Sequence, residues 1–382
     1  MQTTQEGTLR ALAGALARRP RAPIGIFPTP LQPMRRLSHH FGRPVYFKRD
    51  DLAGLAMGGS KIRILQFTAG EALAQGADTF VAGGYVQSNH PAQVAAAGAA
   101  LGIPTHVILD VTKGYEPQGN LLLLDLAGAQ VRFTRVSSYD GVLAQCQRLA
   151  VRLERTGRRP RVMTQTRESR ILSVVAYADG FVELDRQLQA LDIREADIVV
   201  GSGGPTYAGL LLGAIAGGSR CRVHGVPPRG RGAGAKAQVR EFITEASALL
   251  GVEVMAGSDA VSFLGDGPGV YGEVGRETVA AIRFVAAQEG VYLDPVYGGH
   301  AMAAQLRRGR RHAADRPLIF VQTGGAPTVF AYECELASRR ILDYASLAPR
   351  VDRAARSTRR AHRAGSKSRR PGRHHSRREA RQ

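Results

Sequence analysis

A lysine set among glycines is the group in this chain best suited to covalent chemistry. Lys61 follows Gly58, Gly59 and Ser60, and the run Ser88-Asn89-His90 comes 27 residues later. A lysine is normally protonated, but burial or a nearby cation lowers its pKa and frees the amine to form a Schiff base. The glycines would let a flat, bulky molecule approach the backbone. A solvated lysine in a glycine loop is the alternative that this motif alone leaves open.

A second glycine-rich stretch has the sequence expected of an anion-binding turn. Residues 198–200 predict a buried strand, residues 201–206 a turn and residues 207–216 an apolar helix. The N–H groups and positive dipole at the start of such a helix can hold a phosphate. The spacing matches neither the dinucleotide fingerprint nor the P-loop, so we expect a single phosphate rather than a dinucleotide. A tight turn without a ligand is the alternative.

Two further side chains fall where ligands of α/β proteins are often bound. Tyr297, in the segment Asp294-Pro295-Val296-Tyr297, could exchange a proton or contact a substrate through its phenol. Thr323 follows a strand predicted over residues 318–321, and open α/β sheets bind ligands at such carboxyl ends. Taken singly, Tyr297 would more often be a packed core tyrosine, and Thr323 would be an ordinary turn residue.

The elements that must position these residues alternate between strand and helix. Strands are predicted over residues 45–48, 79–82, 105–109, 131–133, 198–200, 222–226 and 318–321. Helices are predicted between most of them, for example over residues 62–75 and 91–101. This alternation predicts an α/β fold in which helices cover both faces of a parallel sheet.

In their order along the chain, these motifs resemble the D-cysteine desulfhydrase and 1-aminocyclopropane-1-carboxylate deaminase family. The resemblance covers roughly residues 24–340 and rests on the segments Thr29-Pro30-Leu31, Lys48-Arg49-Asp50-Asp51, Gly58-Gly59-Ser60-Lys61, Gln87-Ser88-Asn89-His90, Gly201 to Gly209, Asp294 to Tyr297 and Thr323-Gly324-Gly325. These are pyridoxal-phosphate enzymes of the tryptophan-synthase-β fold type. The resemblance therefore implies pyridoxal 5'-phosphate as cofactor and two open, twisted, mostly parallel sheets flanked by helices.

The resemblance also implies a role for each matched residue. Lys61 would be the Schiff-base lysine and the base that moves the substrate α-proton. Asn89 would bind the ring hydroxyl of the cofactor, and Thr323 would face its pyridine nitrogen. The phosphate of the cofactor would be held by the Thr206 hydroxyl and by the N–H groups of Gly201, Ser202, Gly203 and Gly204. The substrate would be contacted by Ser88, Asn89, His90, Tyr271 and Tyr297, of which Ser88, Tyr271 and Tyr297 are expected to be catalytic. A neutral hydroxyl at the ring nitrogen makes a milder electron sink, suited to β-elimination.

The chain departs from the family's usual sequence at several pocket positions. Ser60 replaces an asparagine, and Gly298 is neither the glutamate of the deaminase nor the threonine common in desulfhydrases. Residues 164–171 lack the usual glycines. The other departures are Pro205, Pro91-Ala92, His300 and Gln322. Because His90 is present and residue 298 carries no glutamate, we expect no opening of an aminocyclopropane ring.

The expected reaction is α,β-elimination from a small amino acid, D-cysteine or a related β-substituted alanine, to a keto acid and ammonia. A second hypothesis, motivated by residues 164–171, is β-replacement or racemisation on the same scaffold. A third is a non-catalytic protein whose basic end binds nucleic acid. Residues 350–382 carry 13 Lys and Arg against two Asp and Glu, a net charge of +11 out of +20. Such a run can bind nucleic acid by charge, although charge blocks are more commonly unstructured.

The remaining expectations concern organisation and location. We expect a large cofactor-binding domain from residues 1–51 plus 166–345, a small domain with Lys61 from residues 52–165, and a disordered basic tail from residues 346–382. The resemblance implies a homodimer. No apolar run approaches the roughly 20 residues that span a bilayer, and the N-terminus lacks the apolar core of a signal peptide. Three scattered cysteines form no metal-ligand cluster and fit a reducing compartment, so we expect a cytoplasmic protein without a metal.

Overall fold

Two β-sheets flanked by helices make up the part of the chain that the computed structural model describes, residues 2–112, 117–164, 166–228, 234–265, 270–309 and 316–337. The basic tail expected over residues 346–382 lies outside these ranges. No helix in the described ranges is both long enough and apolar enough to cross a membrane.

Ten strands are present in the described residues. They are β1 (Leu31–Pro33), β2 (Val45–Arg49), β3 (Thr79–Tyr85), β4 (Thr105–Asp110), β5 (Gln130–Thr134), β6 (Pro160–Val162), β7 (Asp197–Val200), β8 (Arg222–Gly225), β9 (Ser262–Phe263) and β10 (Leu318–Gln322). The larger sheet has the order β1-β2-β10-β7-β8-β9, and the smaller has the order β5-β4-β3-β6. Every neighbouring pair is parallel except β1 with β2. The two mostly parallel sheets confirm the predicted fold class.

The helices connect the strands and cover the sheets. They are α1 (Gln2–Ala17), α2 (Arg35–Phe41), α3 (Ser60–Ala74), α4 (Asn89–Leu101), α5 (Gly119–Leu126), α6 (Tyr139–Glu154), α7 (Arg167–Ala190), α8 (Pro205–Ala216), α9 (Ala235–Leu250), α10 (Arg276–Glu289), α11 (Gly298–Arg308), α12 (Ala326–Ala331) and α13 (Glu333–Leu336). The strands β3, β4 and β10 are buried almost throughout, as expected of parallel strands covered on both faces.

The short elements β9, α2, α12 and α13 were not predicted from the sequence, and neither were β1, β6 and α1. The edge strand β1 and the strand β6 each have only three residues, which is too short for a periodic pattern to be recognised. The helix α1 has a weakly apolar sequence, yet Leu12 and Leu16 on it are fully buried in the core that also contains α7 and α8. Its stability therefore comes from tertiary packing rather than from its own sequence.

Close packing of α7 against α8 fixes the position of the first turn of α8. A Cβ atom on Gly209 would lie 2.4 Å from the Val174 carbonyl oxygen, and one on Gly213 would lie 2.5 Å from the Phe181 Cβ. Both distances are well inside van der Waals contact, so the two helices can approach this closely only because α8 has glycine there. The crossing holds the start of α8 at the carboxyl end of β7.

A buried ionic cluster ties α3 to β2 and α7. Arg63 on α3 is 1% exposed and donates to Asp50 at 2.8 Å and to Glu183 at 3.0 Å. Lys48 on β2 also binds the Glu183 carboxylate and donates to Gln187 at 2.9 Å. These residues come from three distant parts of the chain, so the cluster positions the beginning of α3, where Lys61 lies.

Candidate active site

A cavity of about 840 Å³ lies at the carboxyl ends of β3, β7 and β10. Its lining includes every side chain or backbone group that the sequence singled out for cofactor or substrate: Lys61, Ser88, Asn89, His90, Gly201, Ser202, Gly203, Gly204, Thr206, Tyr271, Tyr297 and Thr323. The fold thus brings residues from widely separated segments into one site. Their individual roles stay predictions.

Lys61 is the second residue of α3 and lines the cavity. Its Nζ lies 3.3 Å from the Ser60 hydroxyl oxygen. The pKa of Lys61 falls from its ordinary value to about 8 because burial disfavours the charged ammonium, while the carboxylate of Asp294 partly opposes this change. Roughly a tenth of the amine is therefore neutral at pH 7, far more than for an ordinary lysine, and the neutral form is the one that forms a Schiff base.

The loop before Lys61 contacts the loop after β10 backbone to backbone. The Ser60 N–H donates to the Thr323 carbonyl oxygen at 2.8 Å. Gly59 and Gly324 have φ of +115° and +83°, and a Cβ atom on Gly324 would lie 2.5 Å from the Gly59 Cα. Side chains at these two positions would be strained and would also collide. This contact fixes Lys61 relative to Thr323.

Asn89 begins α4 and is oriented by two side chains that the sequence did not identify. Its amide oxygen accepts hydrogen bonds from Asn120 Nδ2 at 2.8 Å and from Thr328 Oγ1 at 3.1 Å. Both bonds require the oxygen to face these donors, so the amide nitrogen is directed the other way, toward Gly325 on the cavity wall. A fixed N–H donor there suits an acceptor such as the cofactor's ring hydroxyl.

His90 is a neutral donor rather than a cation. The ring is buried, and its Nε2 donates to the Met163 carbonyl oxygen at 2.7 Å. Burial lowers the pKa of His90 to about 4, an effect that this bond opposes and the nearby Lys61 reinforces. The imidazole therefore brings no charge to a substrate carboxylate. At the same helix start, Ser88 makes no side-chain cap bond within α4.

The Asp294 carboxylate shapes the turn that carries Tyr297. It accepts hydrogen bonds from the N–H groups of Val296, Tyr297 and Gly298 at 3.0, 2.8 and 2.7 Å. Burial raises the pKa of Asp294, although these bonds and Lys61 oppose the rise. The sequence motif of residues 294–297 did not by itself indicate a role for the aspartate. An aspartate that binds the N–H groups two and three residues ahead is typical of a turn and could have been recognised.

Tyr271 and Tyr297, predicted to flank the substrate, lie together on one wall of the cavity. Their hydroxyl oxygens are 2.7 Å apart, and their rings meet edge to face with centroids 6.2 Å apart. Either phenol can be the donor in this bond. The pair can therefore pass a proton between its members while one of them contacts a ligand.

The turn before α8 has the donors that a phosphate needs. The N–H groups of Gly203 and Thr206 make no hydrogen bond within the described residues, and Pro205 has none to satisfy. The Ser202 and Gly204 N–H groups, also predicted to bind phosphate, already donate to Val200 O at 2.8 Å and to Ser202 Oγ at 3.2 Å. With the positive end of a 12-residue helix behind it, the turn fits a phosphate group.

Gln93, which lines the cavity, carries a buried amide oxygen that is not satisfied. Gln93 is 4% exposed and donates through Nε2 to the Gly58 carbonyl oxygen. Its Oε1 has no hydrogen-bond partner in the described part of the chain. A buried acceptor without a donor costs free energy, so the contact of Gln93 with the loop before Lys61 carries a penalty. No sequence pattern marks this residue, because its importance depends on the long-range contact with Gly58.

Comparison with known proteins gives consistent matches over most of the chain. The profile of the family described as "Pyridoxal-phosphate dependent enzyme" matches residues 23–324. A D-cysteine desulfhydrase of Klebsiella pneumoniae (strain 342) is 37% identical over 332 residues, covering 84% of this chain and 98% of the relative. A protein of Pyrococcus abyssi whose name proposes a 1-aminocyclopropane-1-carboxylate deaminase is 34% identical, covering 84% and 96%. The crystal structure of an ACC deaminase homologue superposes with a TM-score of 0.76 at 31% identity, covering 85% of this chain and 98% of that one.

Proposed function

The chain belongs to the family of pyridoxal-phosphate-dependent enzymes, and we propose that it is a lyase that removes a β-substituent and the amino group from a small amino acid. The family match confirms the resemblance inferred from the motifs and the cofactor that it implied. The observation that carries the proposal is the half-buried Lys61, with a pKa of about 8, in one cavity with the Asn89 amide and the open turn before α8.

We propose that four groups of the cavity hold the cofactor. Lys61 would bind it covalently, the Asn89 amide would donate to its ring hydroxyl, Thr323 would face its ring nitrogen, and the turn of residues 201–206 would hold its phosphate. The free N–H groups at that turn and the fixed orientation of Asn89 support these assignments. When bound, pyridoxal phosphate stabilises the negative charge that develops on the substrate α-carbon as its proton departs.

The chemistry that remains for the protein is the movement of protons. The neutral Lys61 amine would accept the α-proton, and the bond from the β-carbon to its substituent would break with its electron pair leaving on that substituent. The hydrogen-bonded phenols of Tyr271 and Tyr297 would supply a proton to the leaving group. Water would then hydrolyse the released unsaturated amine to a keto acid and ammonia.

The substrate class follows from the position of Gly298 at the start of α11. The curated relatives are named for D-cysteine and for 1-aminocyclopropane-1-carboxylate. A Cβ atom on Gly298 would lie 3.0 Å from the Asp294 carboxylate and 3.2 Å from the Gln322 amide oxygen. A glutamate at position 298, as in the deaminase, would bring a second carboxylate close to these two acceptors, and like-charge repulsion disfavours that arrangement. We therefore favour D-cysteine or a related β-substituted alanine over the cyclic amino acid.

The test is the absorbance spectrum of the purified protein after addition of pyridoxal phosphate. Wild type is expected to show a visible band that borohydride abolishes, and Lys61→Ala is expected to lack it. Lys236→Ala, which removes an exposed lysine on α9, is the matched control and should keep the band. D-cysteine and β-chloroalanine are then assayed for keto acid and ammonia. Undiminished product formation by Lys61→Ala would overturn the mechanism.

The same assay separates elimination from its alternatives. Addition of a second thiol would yield a new amino acid if the enzyme catalysed β-replacement, and chiral chromatography would detect racemisation. The Klebsiella and Pyrococcus relatives are named for neither of these reactions. We therefore propose elimination as the main reaction.

We propose two domains, a homodimer and a cytoplasmic location as the setting of this activity. All strands of the smaller sheet lie between residues 79 and 162, within the small domain proposed over residues 52–165. The larger sheet draws its strands from both parts of the large domain proposed over residues 1–51 and 166–345. The dimer rests on the family resemblance, and light scattering of the purified protein would test it.

A further inference from the structure

We propose that Tyr332 is a positioning residue that holds the Tyr271 phenol against Tyr297 by binding the backbone next to Tyr271. The Tyr332 hydroxyl donates to the Gly272 carbonyl oxygen at 2.8 Å, and the hydroxyl oxygens of Tyr271 and Tyr297 are 2.7 Å apart. Tyr271 and Tyr297 line the cavity, whereas Tyr332 is not among the described residues that do so. The proposal rests on the proton transfer proposed above for the two cavity phenols.

Tyr271 lies on a tight turn of residues 270–273, which a backbone hydrogen bond closes. The Glu273 N–H donates to the Val270 carbonyl oxygen at 3.0 Å, and the Glu273 carboxylate accepts from the Val270 N–H at 3.3 Å. Gly272 has a φ of +86°, which suits a glycine as the third residue of such a turn. Both hydrogen bonds join residues of the turn to each other. They shape the turn, but they do not place it at the cavity wall.

The bond from Tyr332 ties this turn to a distant part of the chain. Because Gly272 directly follows Tyr271, a shift of the Gly272 carbonyl moves the tyrosine as well. Burial raises the pKa of Tyr332 to about 12, and Tyr271, Glu335 and Asp294 reinforce the rise. The Tyr332 phenol therefore keeps its proton even in alkaline solution, and it remains the donor to the Gly272 carbonyl.

Tyr332 immediately follows α12, the helix that also orients Asn89. Its N–H donates to the Val329 carbonyl oxygen at 3.2 Å, and Thr328 on the same helix donates through Oγ1 to the Asn89 amide oxygen at 3.1 Å. The segment of residues 326–332 thus contacts Asn89 at one point and the turn of Tyr271 at another. One short segment therefore positions a group proposed to bind the cofactor and a group proposed to act on the substrate.

Tyr297 is held in place by a different set of contacts. The Asp294 carboxylate accepts hydrogen bonds from the backbone N–H groups of Val296, Tyr297 and Gly298 at 3.0, 2.8 and 2.7 Å. Loss of the Tyr332 hydroxyl leaves these bonds intact and releases only the turn of Tyr271. A proton donor works only within hydrogen-bond distance of its acceptor, so separation of the two phenols should weaken protonation of the leaving group.

The test compares two leaving groups in the full-length enzyme loaded with pyridoxal phosphate. Hydrosulfide leaves D-cysteine more easily when it is protonated, whereas chloride leaves β-chloroalanine without a proton. Tyr332→Phe should therefore lower kcat for D-cysteine by about tenfold at unchanged KM and change kcat for β-chloroalanine by less than about twofold. Tyr292→Phe is the matched control, because it removes the hydroxyl of a tyrosine that is 65% exposed, and it should match wild type with both substrates.

A double-mutant cycle shows whether Tyr332 acts through Tyr271. In the Tyr271→Phe background the phenol that Tyr332 positions is already absent. Adding Tyr332→Phe should then cause no further loss of kcat with D-cysteine. A purely structural role of Tyr332 would instead lower kcat by the same factor in both backgrounds and with both substrates.

Hydrogen exchange gives a readout that does not depend on catalysis. Peptides covering residues 270–275 are followed by mass spectrometry in the full-length protein without substrate, with and without pyridoxal phosphate. These amides should exchange severalfold faster in Tyr332→Phe than in wild type or Tyr292→Phe, because the turn has lost its tie to Tyr332. Phenylalanine keeps the ring of this half-buried residue, so we expect the variant to fold.

Three results would overturn the proposal. They are an equal loss of kcat with both substrates, a full further loss in the Tyr271→Phe background, and unchanged exchange of residues 270–275 in Tyr332→Phe. Failure of the proposed function would be seen separately, as a wild type that releases no keto acid from either substrate. The hydrogen-exchange comparison would still test the tie between Tyr332 and the turn.

Discussion

Lys61 shows how burial alone can prepare a lysine for covalent chemistry. Either burial or a neighbouring cation could have lowered its pKa, and the sequence does not choose between them. In the structure, burial is the main cause, and the carboxylate of Asp294 acts in the opposite direction. The pKa of about 8 is therefore a balance that substitution at Asp294 should disturb.

Asp294→Asn is predicted to lower the Lys61 pKa below 8, because it removes the negative charge that stabilises the ammonium against the dominant effect of burial. The neutral amine would then be available at lower pH. The rate at which pyridoxal phosphate forms its visible band, followed from pH 6 to 10, should show a midpoint shifted to lower pH. Asp140→Asn changes another carboxylate that lines the cavity and should keep the wild-type midpoint. Equal midpoints in the two variants would contradict the electrostatic account.

Residues of the candidate site could be singled out from the sequence only where a local motif marks them. Lys61 and the turn at residues 201–206 could be singled out because glycine spacing and strand patterns mark them, and Asn89 because its segment resembles that of the family. The partners that orient them could not: Asn120 and Thr328 reach Asn89 across 31 and 239 residues. Side-chain contacts at such separations leave no periodic trace in one sequence.

At the scale of elements, the crossing of α7 and α8 determines where the turn of residues 201–206 can lie. The apolar sequence of α8 indicates burial, but it does not reveal that Gly209 and Gly213 face α7. The strand–turn–helix pattern therefore predicts the element correctly and leaves its packing undetermined.

Gly209→Ala is predicted to destabilise the protein by about 1–3 kcal/mol, because its methyl group would overlap the Val174 carbonyl and force α8 away from α7. Gly217→Ala, at the end of the same helix, has a φ of −79° and no neighbour nearer than 3.4 Å, so it should change stability little. Urea unfolding of both variants measures the difference. Binding of pyridoxal phosphate should weaken in Gly209→Ala alone, since the turn that begins α8 would move.

At the scale of the whole molecule, the buried cluster around Arg63 is what makes distant segments one structure. Asp50 follows β2, Arg63 lies on α3 and Glu183 lies on α7. The fold class was predictable because alternating strands and helices are a property of the sequence itself. The joining of these segments was not, since it depends on charged residues whose burial only the tertiary structure reveals.

Arg63→Met is predicted to destabilise the protein by about 3–5 kcal/mol, because it leaves two buried carboxylates without their main partner. Arg194→Met, at an ion pair whose members are 81% and 86% exposed, should cost less than about 1 kcal/mol.

Despite their burial, Asp50 and Glu183 have pKa values below their ordinary ones because of Arg63. Their contribution to stability is thus complete above about pH 4–5 and lost as the pH falls through the folded-state values. Melting temperatures between pH 6 and 3 should show a smaller acid loss in Arg63→Met.

A chain ending at residue 345 is predicted to keep the visible cofactor band, because every residue of the cavity precedes that point. If the full chain binds DNA, the affinity should fall steeply with salt and disappear on this truncation, which removes the segment of residues 350–382 with its net charge of +11. Filter binding at several salt concentrations is the measurement. If the shortened chain still binds DNA, the binding would be assigned to positively charged residues before position 346 instead.

The contact between Gly59 and Gly324 limits how this enzyme can be altered by directed evolution. A Cβ atom on Gly324 would overlap the Gly59 Cα, and one on Gly59 would lie only 2.9 Å from the Thr323 carbonyl oxygen, so neither substitution makes room for the other. Libraries that randomise these two codons, singly or jointly, should return glycine at both. The productive targets for a new substrate lie instead elsewhere on the cavity lining, at positions such as Tyr139 and Gln238. The contact that positions Lys61 can therefore stay unchanged while other residues of the cavity lining are varied to change the substrate.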